Sequence, residues 1–165
     1  MVKNIFKSLL KILIIMIAYL LQIYVVNNTT FFGVKGDLCL MTVVLITLME
    51  KNYTSYITAA ICGIISDALF STIACKYLII YLIVVSVLVG LKKMYKQDSK
   101  LSIIVFSVAG VIISELLLSV FYLFSTGNFI NIFTFIFNLF KQCIINICFA
   151  FIIFLCLRLT LREGE

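Results

Sequence analysis

Six long apolar stretches, parted only by short polar segments, constrain this chain more than any other feature. Of its 165 residues, 64% are hydrophobic and 12% charged, against about 45–50% and about 25% in soluble domains. A soluble fold of this length has too little polar surface to cover such an interior. In lipid, every backbone amide must be satisfied internally, and long apolar runs achieve this as helices. A transmembrane barrel would need alternating polar and apolar residues, and these runs lack them. The expected fold is therefore all-α: a single polytopic domain over residues 1–165, multi-pass in the cell membrane, built as a six-transmembrane-helix bundle.

The spans are expected at about 9–26, 36–49, 55–71, 77–91, 101–124 and 132–157. A span needs about 20 residues at about 1.5 Å of rise each. The second and fourth are short, and one of them is expected to be a partial or locally thinned span. Charge placement sets the orientation, because Lys and Arg favour the cytoplasmic side of short loops. With both termini cytoplasmic, the inner segments hold Lys3, Lys7, Lys11, Lys51, Lys92, Lys93, Lys96, Lys100, Arg158 and Arg162. The 27–35 and 125–131 connections on the outer side then carry almost no charge. The net charge of +6 follows from this orientation, and the basic 92–100 loop reads as a topogenic, headgroup-facing segment of the bilayer surface. No nucleic-acid partner is expected.

The basic start and apolar run to Val26 resemble the first two regions of a signal peptide, but the run ends in Val25, Val26, Asn27 and Asn28 without a small-residue cleavage site. It reads as an uncleaved first span. Neither end carries an evident lipidation motif. Cys39, Cys62, Cys143, Cys148 and Cys156 lie in apolar runs and Cys75 at a short turn, with no C-x-x-C spacing. They read as buried free thiols acting as small apolar residues. Histidine is absent, which removes imidazole acid–base and metal chemistry. No cofactor, metal or enzymatic activity is expected.

Four charged residues stand apart from the loops. Asp37 opens the second span, where a carboxylate can cap free amides and favour the helix dipole. Asp67 lies on a face reading Ala59, Gly63, Asp67 and Ser71, and small residues at this spacing let a second helix come close. Its carboxylate reads either as a cap or interhelical hydrogen bond, or as a contact with a partner or ligand near the outer surface. Glu115 and Lys141 fall deep in the fifth and sixth spans, each nine residues from the shared outer loop (counted from Phe124 and Ile132). At equal depth on antiparallel helices they are expected to pair, because a lone charge in a bundle costs several kcal/mol.

Three blocks of this sequence resemble the MreD family, the small membrane subunit of the bacterial rod-shape machinery. A basic start leads into a first span with a polar end. Phe32, Gly33, Val34, Lys35, Gly36, Asp37 and Leu38 then look like the family's Gly-x-Lys-Pro-Asp-Leu opening of the second span, with Gly36 in the place of proline. Gly63, Ile64, Ile65, Ser66, Asp67, Ala68 and Leu69 look like its Gly-Leu-x-x-Asp-hydrophobic segment. The family often has a glycine shortly after this acid, and Phe70 to Cys75 contains none. The resemblance implies a non-enzymatic subunit of the peptidoglycan elongation machinery, or elongasome, with Asp37 and Asp67 as the family's recurring acids. It implies an MreC-like membrane partner and, through it, an MreB-like filament and cell-wall synthases. On this reading the chain packs helices against the MreC-like partner, with the outer-end acids shaping the contact.

The alternative is the substrate-binding subunit of an energy-coupling-factor vitamin transporter, whose fold the family is similar to. Size and span count suit it. The Ala-x-x-x-Ala pattern that docks the energising subunit is missing from the first span, where Ala18 stands alone. A sporulation or membrane-stress role is a third option.

Overall fold

The structure is a computed structural model that describes residues 15–26, 33–71, 73–93, 100–127 and 131–162. The start of the first expected span, most of the 27–35 connection, the basic loop over 94–99 and the tip of the 125–131 loop lie outside these residues. Among the described residues the fold is all helical. Helix α1 covers residues 15–21 and continues as a π-helical stretch, Gln22–Val26. Five α-helices follow: α2 Leu38–Met49, α3 Asn52–Phe70, α4 Lys76–Lys92, α5 Lys100–Thr126 and α6 Ile132–Arg162. Three of them, α3, α5 and α6, contain stretches long and apolar enough to cross a membrane.

The second expected span is where the structure departs most from the sequence reading. Helix α2 has 12 residues and is about 18 Å long at about 1.5 Å per residue, little more than half of a hydrocarbon core of about 30 Å. Every residue from Leu38 to Leu48 is buried. A helix that is apolar all round belongs inside protein, and α2 packs against α3, α4, α5 and α6. It is the axis of the bundle.

A short buried helix brings its unsatisfied ends indoors with it. Both ends of α2 are met by side chains from elsewhere. At its start, Leu40 N donates to Asp37 Oδ1 at 2.8 Å and Leu38 N to Gln22 Oε1 at 2.9 Å. The Gln22 amide also donates to the Gly36 carbonyl at 3.2 Å, and Asp37 N donates to Asn146 Oδ1 at 2.8 Å. At its end, Lys92 Nζ donates to the carbonyls of Thr47, at 2.9 Å, and Glu50. Thr42 and Thr47 direct their hydroxyls onto the carbonyls four residues back, each at 2.8 Å.

The neighbours sit close because small residues let them. A Cβ on Gly63 would lie 2.5 Å from Leu78 Cα, so α3 and α4 cross backbone to backbone along the face of Ala59, Gly63 and Asp67. Gly110 gives α5 the same closeness to α2, where a Cβ would meet Val44 Cγ2 at 2.7 Å. The turn between α3 and α4 is made by Cys75, whose φ of 62° lies in the left-handed region. That conformation costs an L-residue with a side chain about 1–2 kcal/mol. Cys75→Gly is therefore expected to raise stability by about 1 kcal/mol, measurable as a higher melting temperature in detergent.

Candidate functional site

The lead-in to α2 borders a cavity of about 300 Å³ lined by Gln22, Lys35, Asp37, Cys39, Ser66, Phe70, Tyr77 and Tyr81. Four parts of the chain build it: the π-helical turn of α1, the extended lead-in with the first turn of α2, the end of α3 and the start of α4. π-Turns are locally wide and recur at functional sites. Here the turn sets Gln22 against the backbone on either side of Asp37. Tyr19, one turn earlier, hydrogen-bonds to the Cys62 carbonyl and lies 2.9 Å from Ser66 Oγ. These bonds tie α1 to α3.

Asp37 occupies the centre of this arrangement. Its backbone is extended, with φ −127° and ψ 93°, so that the carboxylate folds over the first turn of α2 as an N-cap. Oδ1 takes the Leu40 amide, and Oδ2 takes the Tyr81 hydroxyl at 3.3 Å. The Tyr77 and Tyr81 rings stand 6.0 Å apart, tilted by 55°, and form an aromatic wall beside it.

Asp67 lies at the last turn of α3 and serves α4. Oδ1 accepts from Tyr77 N at 2.7 Å and Oδ2 from Leu78 N at 3.0 Å. These are the second and third residues of α4, and Cys75, the residue before that helix, makes no side-chain cap bond of its own. Asp67 is thus an N-cap supplied from the preceding helix, where its charge also meets the positive end of the α4 dipole. These two bonds are the cap, one of the roles open to it in the sequence. Gly63, one turn earlier, brings Leu78 within range of it.

Glu115 and Lys141 do not meet as expected. Lys141 Nζ sits over the Phe137 ring, 4.2 Å from its centroid, while Gln142 presents its side-chain amide to Glu115 and Lys76 lies on the same side. Glu115 is met at the expected depth by the next residue along α6, Gln142, which on a helix lies about 100° round from Lys141. Gln142 also donates to the Lys35 carbonyl at 3.4 Å, which ties α6 to the lead-in of α2. Double-mutant cycles in detergent should accordingly find Glu115→Gln and Lys141→Met additive within about 0.5 kcal/mol. Glu115→Gln and Gln142→Leu should couple by about 1 kcal/mol.

Gln22, Tyr81, Lys92 and Asn146 make the polar contacts at the ends of α2, and of these the sequence reading names only Lys92, as a topogenic charge. The available signals were a Gln and an Asn inside otherwise apolar runs, and two tyrosines four residues apart. Among the described residues no group of three or more Cys, Asp or Glu is placed to hold a metal ion. No protein-family model, curated protein or solved structure matches the chain.

Proposed function

We propose that this chain is a non-enzymatic membrane subunit of the cell-shape and peptidoglycan elongation machinery, with six membrane-embedded helices, both termini cytoplasmic, and an MreC-like partner. The observation that supports it is the role of the residues that carry the resemblance. Asp37 caps the buried α2, Asp67 caps α4, and Gly63 permits the α3–α4 crossing. Residues with such duties define a fold, and a family built on this fold would keep them.

The partner contact is shifted on this reading. On this reading the acids act through their caps on α2 and α4, shaping the bundle and not the contact surface. The outer faces of α5 and α6 are the better surface. Phe124 and Phe133 are 84% and 86% exposed, and Ile136, Phe137, Phe140 and Ile144 continue the face along α6. Photo-crosslinking from positions 133 and 140 in the native cell, followed by purification, should capture an MreC-like protein, and deletion should round the cells. Normal shape after deletion, with no such partner captured, would overturn the proposal.

The cavity beside Asp37 favours a second reading, the substrate-binding subunit of a vitamin transporter. Saturable vitamin binding by the purified chain, with normal cell shape on deletion, would select it over the first.

A further inference from the structure

The cavity at the start of α2 has more hydrogen-bonding capacity than the fold uses. Gln22 is bonded to the backbone around Asp37, and Ser66 to Tyr19. Three other lining groups are less committed. Asp37 Oδ2 has the Tyr81 hydroxyl at a long 3.3 Å, and a carboxylate oxygen accepts more than one donor. Among the described residues, the Lys35 ammonium and the Tyr77 hydroxyl have no hydrogen-bond partner. Lys35 and Asp37 lie two residues apart in the non-helical lead-in to α2. Both line the cavity, and no ion pair joins them. A cation and an anion thus border one space without neutralising each other, beside the flat walls of Phe70, Tyr77 and Tyr81. The volume of about 300 Å³ is at the small end of ligand pockets, about 300–1,000 Å³.

We infer that this cavity binds a small zwitterion, its ammonium group held by Asp37 against the tyrosine faces and its acidic group held by Lys35. Aromatic faces favour an ammonium as well as a flat body. Two sources share this chemistry: a free amino acid and the ethanolamine-phosphate headgroup of a lipid. The inference is independent of the partner-binding proposal, since it is read on the purified chain alone.

The test uses the full chain in nanodiscs of phosphatidylglycerol, whose headgroup carries no cation. The probes are the twenty free amino acids in one arm and added phosphatidylethanolamine in the other. Tryptamine and indole-3-propionate serve as single-charge controls. Saturable one-to-one binding of an amino acid, or a raised melting temperature specific to phosphatidylethanolamine, is expected, and the responding arm identifies the source. Lys35→Met, at an exposed position, should fold normally and weaken binding at least tenfold, and Tyr77→Leu should weaken it similarly. The single-charge controls should bind at least tenfold more weakly than the best zwitterion. No response in either arm overturns the inference, as does binding that Lys35→Met leaves unchanged.

Discussion

Asp67→Leu should lower the stability of this protein by about 3 kcal/mol, the loss of two hydrogen bonds to a charged acceptor less the relief of desolvating it. Both carboxylate oxygens are engaged, by Tyr77 N and Leu78 N, and leucine leaves those two amides without a partner at the start of an apolar helix. Asparagine keeps one acceptor oxygen, so Asp67→Asn should recover about half of the loss. Reversible unfolding in mixed detergent micelles measures both variants. A leucine variant as stable as the parent, yet failing to bind its partner, would move Asp67 from the fold to the contact surface.

Gly63→Val should be about as damaging, at about 3 kcal/mol, the upper end for overpacking a well-packed interior. The atoms that a Cβ would strike are Leu78 Cα at 2.5 Å and Leu78 N at 3.0 Å. Backbone cannot swing aside as a side chain can, so α4 must move as a body. Gly63→Ala carries the same first atom and should show most of the effect. Leu78 N is also the donor to Asp67 Oδ2. Displacing α4 therefore breaks the cap too, and the double variant Gly63→Val with Asp67→Leu should lose clearly less than the sum. Strict additivity would mean that crossing and cap are separate features. By contrast, the nearest atoms to a Cβ on Gly36 belong to the side chains of Phe149 and Ile145, which can change rotamer where backbone cannot, and Gly36→Ala should be milder.

Helical class and helix positions were legible because lipid leaves few alternatives: apolar run length and the polar breaks between runs locate α3 to α6 to within a few residues. The status of α2 was not. Leu38–Met49 is as apolar as a lipid-facing run, and composition cannot distinguish burial in protein from burial in lipid. Only its length pointed inward. The acids at 37 and 67 were visible as charges in apolar surroundings, and capping was one of the roles open to each. Which amides they serve was hidden, since Asp37 works within its own helix while Asp67 reaches across a turn to the next. Depth along a helix is a simple count, which is why Glu115 and Lys141 were set level with each other. Azimuth depends on packing that no count supplies, so Gln142 was missed. The cavity required four segments to converge, and no single stretch of sequence carries that information.

The shortness of α2 bears on how the chain is made. If the chain inserts into a bilayer as proposed, a helix of about 18 Å is too short to span the hydrocarbon core alone, and its polar ends would be stranded there. It has to wait for Gln22 behind it, and for Lys92 and Asn146, which are synthesised later. The last of these lies in α6, so the polar bonds at the start of α2 are complete only once α6 has been made. Truncation before α6 would remove one of the four helices packed on α2 and the Asn146 acceptor of the Asp37 amide.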